Sequence, residues 1–335
     1  MTAVVRTVQG RPLAARYETV LAHEHLRIDI RCWFDERNPH ASQLANLRVT
    51  PESAVRVQQH PFACLDNLVL DDPQLIVEEL GELGALGRTL IIDVTPENVG
   101  RDVAHLAAVG EATGLDIVYG CGLYIDESRP GEDVAPPDRY RDAILGQFET
   151  DDRPAVIGEI GTGDPITPAE WASLTGAAQA QSVLGVPLYV HLHPWAQHGA
   201  EVLDLIERHG ADLERTVLCH LDVQIPSGLD YHRRLLRRGC LIAFDIWGDE
   251  FPYGDAGMPT DEARLDATAQ LVEDGFGTQL VHSQDVCTKT QLKRFGGPGF
   301  AHIPRMVRPR MVDAGLAPAE IERQLAGNAL RLLER

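Results

Sequence analysis

The sequence predicts an α/β fold, a (β/α)8 or TIM barrel, from three observations. Eight short apolar runs recur along the 335 residues. Each run is almost continuously apolar, which is typical of strands buried on both faces of a parallel sheet. Segments with helical spacing separate them, and eight such units in about 260 residues match the usual barrel size of about 250. A doubly wound open sheet is the alternative, but no glycine-rich phosphate loop follows the first run.

The predicted strands are spaced so that a helix fits after most of them. A short cap at residues 1–18 precedes the first strand and is expected to form a small hairpin. In chain order the strands are predicted at residues 19–22, 89–94, 116–123, 155–160, 187–190, 216–219, 240–244 and 279–281.

Helices are predicted where apolar residues recur every three or four positions. The helix after the fourth strand has the clearest start, because Thr167 and Glu170 form a capping box and Pro168 occupies the first helical position. In chain order the helices are predicted at residues 73–87, 167–185, 198–209, 229–239, 260–275 and 317–335.

Two irregular segments, residues 31–72 and 126–137, are longer than ordinary loops. Both follow the C-terminal ends of predicted strands. Because TIM barrels carry their active sites in the loops at that end, we expect long loops around a site on the C-terminal face.

Composition excludes several classes of protein. Fifty acidic residues against thirty basic ones give a net charge of −20, which argues against nucleic acid as a partner. A hydrophobic content of 44% is too high for a disordered acidic chain, and no apolar stretch is long enough to span a membrane. The six cysteines form no CxxC pair and the N-terminus lacks a signal-peptide pattern. We therefore expect one cytoplasmic domain, residues 1–335.

The first predicted strand ends in two histidines separated by one residue. Side chains alternate along a strand, so His23 and His25 share one face and Glu24 points to the other. Two imidazoles inside a barrel pack poorly but are good metal ligands.

Later strands also end in residues that commonly bind metals. His191 ends the fifth strand, with His193 on the same face, His220 ends the sixth and Asp285 ends the eighth. Each alone is typical of a polar residue at a loop edge. Because four strands of eight place such a side chain at the catalytic end of a barrel, the pattern indicates a metal site.

The chain resembles the phosphotriesterase-related branch of the amidohydrolase superfamily over about residues 17–334. The resemblance rests on the strand-end histidines and Asp285, and on five longer motifs. These are AHEHL at 22–26, IDVTP at 92–96, GEIGT at 158–162, QDVCTK at 284–289 and RFGG at 294–297.

This resemblance implies a centre of two divalent metal ions, usually Zn²⁺, with Mn²⁺, Co²⁺ or Fe²⁺ as alternatives, and a homodimer. Carried over by position, the ligands of one ion are His23, His25 and Asp285, and those of the other are His191 and His220. Many members bridge the ions with a carbamylated lysine. Here the only lysines, Lys289 and Lys293, follow the eighth strand, and the bridging position holds Glu159.

Such a centre predicts a metal-dependent hydrolase acting on a small molecule. Two cations that share a water lower its pKa, so that hydroxide forms near neutral pH and attacks the scissile bond. Asp285 is expected to be the catalytic residue that accepts the proton and passes it to the leaving group.

Residues in the loops are expected to select the substrate. Lys289 suggests an anionic group on the substrate, because both lysines of an arginine-rich chain lie close to Asp285. Equally, Lys289 is typical of a surface residue paired with a local acid. The candidate substrate contacts are Tyr124, His193, Trp195, Trp247, Tyr253, Lys289 and Arg294.

Three substrate classes fit the sequence. A carboxylic ester or lactone and an amide, such as an N-acyl amino acid or an N-acyl taurine-like compound, are favoured over a phosphotriester. The Glu159 bridge and residues 285–297 resemble the amide-cleaving subgroup. A zinc-binding protein without catalysis is a further alternative, which the complete ligand set argues against.

Overall fold

Eight parallel strands form a nearly closed barrel in the computed structural model, which describes residues 5–150, 152–251 and 257–334. In chain order the strands are β1 (Thr19–Glu24), β2 (Ile28–Asp29), β3 (Val69–Leu70), β4 (Thr89–Asp93), β5 (Asp116–Cys121), β6 (Val156–Gly161), β7 (Leu188–His191), β8 (Thr216–Leu218), β9 (Leu241–Phe244) and β10 (Leu280–His282). Strands β2 and β3 form a separate antiparallel pair. The other eight pair in the order β1, then β4 to β10, which confirms the predicted barrel and excludes the open sheet.

Helices follow the barrel strands, as the sequence predicts. They are α1 (Ala41–Leu44), α2 (Ala54–Gln58), α3 (Pro73–Leu80), α4 (Val103–Thr113), α5 (Pro137–Phe148), α6 (Pro168–Leu184), α7 (Gly199–Arg208), α8 (Asp230–Leu236), α9 (Asp261–Leu271), α10 (Arg308–Asp313), α11 (Pro318–Glu322) and α12 (Asn328–Leu333). The capping box of α6 is present, with Thr167 and Glu170 exchanging both hydrogen bonds. Helices α1, α2, α4, α5 and α10 were not predicted, and a π-helical turn joins α11 to α12.

The interior of the barrel is filled by alternate residues of successive strands. Val20, Ile92, Tyr189 and Val217 belong to one buried apolar cluster. The pairing of β1 with β4 shifts register between Leu21 and Glu24, so strict alternation ends just before the strand does. This irregularity lies at the catalytic end, where the predicted ligands begin.

Loops cover the C-terminal face as expected. The segment after β1 contains α1, α2 and β3, and it brings Trp33 and Phe62 over the strand ends. At the N-terminus a bridge between Arg6 and Pro12 forms the predicted small hairpin. No helix in the described part of the chain has both the length and the apolar character that a membrane span needs.

Candidate metal centre

Six predicted ligands meet at the C-terminal end of the barrel. His23 lies in β1 and His25 directly after it, Glu159 lies in β6, His191 ends β7, and His220 and Asp285 follow β8 and β10. Five of them are buried, and Asp285 is partly buried, with 15% of its side chain exposed. Parallel strands bring their carboxyl ends together, which explains why residues so far apart in sequence form one cluster.

The His23, His25 and Asp285 side chains surround one edge of the Glu159 carboxylate. His25 Nε2 is 3.5 Å from Glu159 Oε1 and 3.1 Å from Asp285 Oδ1. His23 Nε2 is 3.5 Å from Glu159 Oε2 and 3.7 Å from Asp285 Oδ1. Residues near the two ends of the chain therefore place their ligand atoms within 4 Å of one another.

The second pair of histidines approaches Glu159 at Oε2, the oxygen that His23 also faces. His191 Nδ1 is 3.4 Å from Glu159 Oε2 and 2.8 Å from His220 Nε2. His220 Nε2 is 4.0 Å from the same Glu159 oxygen. A carboxylate placed between two groups of imidazoles has the arrangement required of a bridge between two cations.

These distances and the unpaired atoms fit metal ions. Ligand atoms about 2.0–2.2 Å from a tetrahedral zinc lie roughly 3.3–3.5 Å from one another, which is the spacing around Glu159. His23 Nε2 and Glu159 Oε2 are buried and make no hydrogen bond within the described structure. Leaving such atoms unpaired costs about 1–3 kcal/mol each, and a cation that accepts their lone pairs removes that cost.

Asp245 holds one histidine of each predicted ligand group from behind. Its Oδ1 is 3.0 Å from His220 Nδ1 and accepts a hydrogen bond from the His220 backbone N–H, while Oδ2 is 3.0 Å from His23 Nδ1. Burial opposes protonation of His220, but Asp245 raises its pKa to about 9. Carboxylates in this position fix the ring orientation of metal-binding histidines.

The sequence contained a signal for Asp245 that its reading missed. Asp245 directly follows the apolar strand β9, as His220 and Asp285 follow theirs more loosely. Thr95 was also missed, although its hydroxyl lies 2.9 Å from His25 Nδ1 and supports that ring. Both residues face the Nδ1 atoms of predicted ligands, and a position near a strand end does not show which atoms a side chain will face.

The electrostatic environment favours the metal-binding protonation state at Glu159 and His191, whereas the pKa values of His23, His25 and His220 are raised. Burial favours neutral Glu159, but the imidazoles of His23, His25 and His191 lower its pKa to about 2. Burial, with a smaller contribution from His220, lowers the pKa of His191 to about 4. An ionised carboxylate and a neutral imidazole are the forms that bind metal.

A small cavity opens directly above the predicted ligands. His191, His220 and Asp285 form part of its lining, and its aromatic walls are Trp33, Phe62, Tyr124 and Trp195. Trp33 Nε1 donates a hydrogen bond to the Tyr124 hydroxyl at 2.9 Å. Two of the predicted substrate contacts, Tyr124 and Trp195, therefore lie where a substrate would enter.

Among the described residues, Trp247 and His193 are predicted contacts that do not line this cavity. Trp247 is buried, and its indole N–H donates to His282 Nδ1 at 3.1 Å. The His193 ring centroid is 5.6 Å from that of Trp33, behind the aromatic wall. Tyr253 lies outside the described residues.

The basic residues after β10 also point elsewhere. Lys289 Nζ is 2.8 Å from Asp66 Oδ1, and Arg294 Nη1 is 3.2 Å from Glu78 Oε2. Both line a separate groove beside α3. The proposed contact between Lys289 and a substrate anion is therefore corrected, because local acids hold these cations outside the cavity.

Comparisons with known proteins give matches over nearly the whole chain. A model of the phosphotriesterase family matches residues 3–333. An N-acetyltaurine hydrolase of Tetraodon nigroviridis is 31% identical over 340 residues, which are 98% of this chain and 97% of that protein. A phosphotriesterase-related protein of Nematostella vectensis is 29% identical, with 96% of each chain covered.

Solved structures share the fold. A resiniferatoxin-binding protein from Rhodobacter sphaeroides superimposes with a TM-score of 0.93 at 34% identity, covering 99% of this chain and 95% of that one. The lactonase Lmo2620 from Listeria monocytogenes gives a TM-score of 0.78 at 21% identity, with 99% of each chain covered. At that identity the lactonase supports the fold alone.

Proposed function

The chain belongs to the phosphotriesterase family and is a hydrolytic enzyme, and from this premise we propose that it cleaves a carboxylic ester, lactone or amide bond. We propose further that it uses two divalent cations, with Zn²⁺ as the first candidate. His23, His25 and Asp285 would hold one ion, His191 and His220 the other, and Glu159 would bridge them.

One observation carries this proposal: four imidazoles cluster around the Glu159 carboxylate, Asp285 lies beside them, and buried atoms of the cluster are left unpaired. A cluster that served only stability would pair these atoms within the protein. The family's dependence on binuclear metal centres points to the same chemistry.

Asp285 and the aromatic walls of the cavity have separate roles in the proposed reaction. When bound, the cations lower the pKa of a water and polarise the scissile bond. Asp285 has the most accessible carboxylate of the six ligands, so its Oδ2 can take the proton of the attacking water and deliver it to the leaving group. Trp33, Phe62 and Tyr124 exclude bulk water from the site.

The size of the cavity favours a carbonyl substrate over a phosphotriester. Its volume is about 60 Å³ among the described residues, and aromatic rings form its walls. A carbonyl group with two substituents needs less space than a phosphorus with three ester groups. The similarity to the N-acetyltaurine hydrolase of Tetraodon nigroviridis, which is named for cleavage of an N-acyl compound, favours the same choice.

Metal analysis and a substrate screen test the proposal. The protein is reconstituted with Zn²⁺, Mn²⁺, Co²⁺ or Fe²⁺, and hydrolysis of lactones, N-acyl amino acids, N-acetyltaurine and an aryl phosphotriester is measured. We expect about two ions per chain and kcat/KM for a carbonyl substrate at least about tenfold above that for the triester. Fewer than one ion per chain, or preference for the triester, contradicts the proposal.

A variant of the proposed active site distinguishes hydrolysis by this protein from hydrolysis by a contaminating enzyme. Asp285→Asn should lower kcat by about 10²- to 10⁴-fold. The matched control is Asp138→Asn, the same change at an exposed position of α5, which should keep full activity. The homodimer expected from the resemblance is tested in the same preparations by sedimentation.

A further inference from the structure

Glu24, the residue between the two histidines of β1, faces away from the metal site into a fully buried environment. Its Oε1 accepts hydrogen bonds from Ser283 Oγ at 2.7 Å, Gln284 N at 2.9 Å and Gln284 Nε2 at 3.1 Å. Its Oε2 accepts one from Val286 N at 3.1 Å. All four donors belong to residues 283–286, the segment that carries Asp285.

This segment needs support because Asp285 has a left-handed backbone. Its φ is 47°, a conformation that costs a residue with a side chain roughly 1–2 kcal/mol. Strand β10 ends at His282, so sheet pairing does not hold Asp285. Its own N–H donates to His23 O at 3.3 Å, which again ties it to β1.

His220 shows the same arrangement on the other predicted ion. It also has a positive φ, of 62°, and Asp245 accepts the hydrogen bond from its backbone N–H. Among the described residues other than glycine, only His220 and Asp285 have positive φ. Both are predicted ligands, and a buried carboxylate holds the backbone beside each of them.

We propose that Glu24 is a positioning residue, which fixes Asp285 on the first metal ion by tying residues 283–286 to β1. Its oxygens are occupied by the four donors, so Glu24 itself binds no metal. Because β1 and β10 are the two ends of the strand order, the same carboxylate also closes the barrel across its one unpaired seam. The inference rests on the proposed metal centre.

Metal affinity tests this role with a matched pair of variants. Glu24→Gln keeps the size of the side chain but replaces one acceptor oxygen with an NH₂ group, which cannot accept a hydrogen bond from the donors of residues 283–286. The control is Glu79→Gln, because Glu79 is also buried and accepts hydrogen bonds from Lys293 N at 2.7 Å and Arg294 N at 2.8 Å. These two donors lie in the same segment between β10 and α10 as Asp285. Both variants therefore lose the same kind of bond, at different distances from Asp285.

Co²⁺ titration, followed by visible absorption and by competition with a chelator, measures both ions. For Glu24→Gln we expect one ion to bind about 10- to 100-fold more weakly and the other to keep its wild-type affinity. Glu79→Gln should lower the melting temperature and leave both affinities unchanged. Ser283→Ala, which removes one donor, should weaken the same ion by a smaller factor and serves if Glu24→Gln fails to fold.

Failures of the two proposals give different results. Wild-type protein that binds no Co²⁺ contradicts the metal centre itself. Wild-type affinity for both ions in Glu24→Gln or, if that variant does not fold, in Ser283→Ala overturns the role of Glu24. If Glu79→Gln weakens metal binding as much as Glu24→Gln does, the role of Glu24 is also overturned, because the effect then comes from general loosening of the segment between β10 and α10.

Discussion

Three buried carboxylates around the metal site are stabilised by different neighbours. Imidazoles surround Glu159, whereas burial raises the pKa of Glu24 to about 7 despite the donors from residues 283–286. Burial opposes ionisation of Asp245, but His220 and His23 lower its pKa well below the usual range. Because a buried charge is costly without partners, the partners of each acid determine its role.

Asp245→Asn tests how strongly the supporting carboxylate acts on both ions. The amide has one acceptor oxygen where the carboxylate has two, so it cannot present an acceptor to both histidine rings. We therefore expect affinity for both ions to fall about 10- to 100-fold. Co²⁺ titration provides the measurement.

The control for this substitution is Asp116→Asn. Asp116 is also buried and paired, with Tyr17 and Arg88, but it lies at the start of β5. That variant should lose stability and keep both metal affinities. If the two variants weaken metal binding equally, Asp245 has no special role.

Lys289→Ala tests the correction to the predicted anion contact. Lys289 pairs with Asp66 outside the cavity, so KM should stay within about twofold for anionic and neutral substrates alike. Steady-state kinetics on an N-acyl amino acid and an uncharged ester provide the comparison. A rise in KM confined to the anionic substrate would restore the original interpretation.

At the scale of elements, Asp261 joins three parts of the C-terminal half. It is the first residue of α9, and it accepts hydrogen bonds from Gly248 N at 2.9 Å, Arg264 Nη1 at 3.2 Å and His302 Nε2 at 2.5 Å. The loop after β9 and the segment before α10 are thereby attached to α9. These hydrogen bonds to Asp261 thereby support the loop that begins at Asp245.

Asp261→Asn should lower the free energy of unfolding by about 3 kcal/mol at pH 7. Burial opposes ionisation, yet His302, Gly248 N–H and Arg264 lower the pKa of Asp261 below its ordinary 3.8. A lowered pKa stabilises the fold above the unfolded value, and this stability is lost as pH falls through the folded value. The difference from wild type should therefore be full at pH 7 and shrink below about pH 3.8.

Denaturant unfolding at several pH values checks this prediction. Asp230→Asn is the control, because Asp230 also begins a helix and pairs with an arginine, but its side chain is 88% exposed. It should change stability by less than about 0.5 kcal/mol. A pH-independent loss in Asp261→Asn would show that charge is not the cause.

At the scale of the molecule, the proposed metal centre would connect the first and last strands of the barrel with those between them. Predicted ligands come from β1, β6 and β7 and from the segments after β8 and β10. Ions bound there would link these strands and offset part of the charge of −20. Ligands that bind only the folded state stabilise it by mass action.

Removal of metal should therefore lower the melting temperature of the whole barrel. Free metal at 100 times its Kd contributes about 2.7 kcal/mol per ion, which amounts to several degrees. Scanning calorimetry before and after EDTA, and again after Zn²⁺ is restored, measures the effect. Asp285→Asn should show a smaller drop, and an unchanged wild-type melting temperature would contradict the prediction.

The sequence predicted the eight barrel strands, and it predicted the six residues that the structure brings together at their ends. Local apolar periodicity marks a buried strand wherever it occurs, and strand order along the chain predicts which ends meet. Glu159 was identified through the family resemblance and the absence of an earlier lysine. These features depend on neighbours in sequence or on fixed topology.

The tertiary structure alone decided which side chains support the site and which leave it. Glu24 meets Ser283 across 259 residues, and Asp245 meets His23 across the barrel interior. Lys289 lies four residues after Asp285 yet turns outward to Asp66. Periodicity describes one strand at a time, whereas these contacts depend on how the barrel closes and where its loops turn.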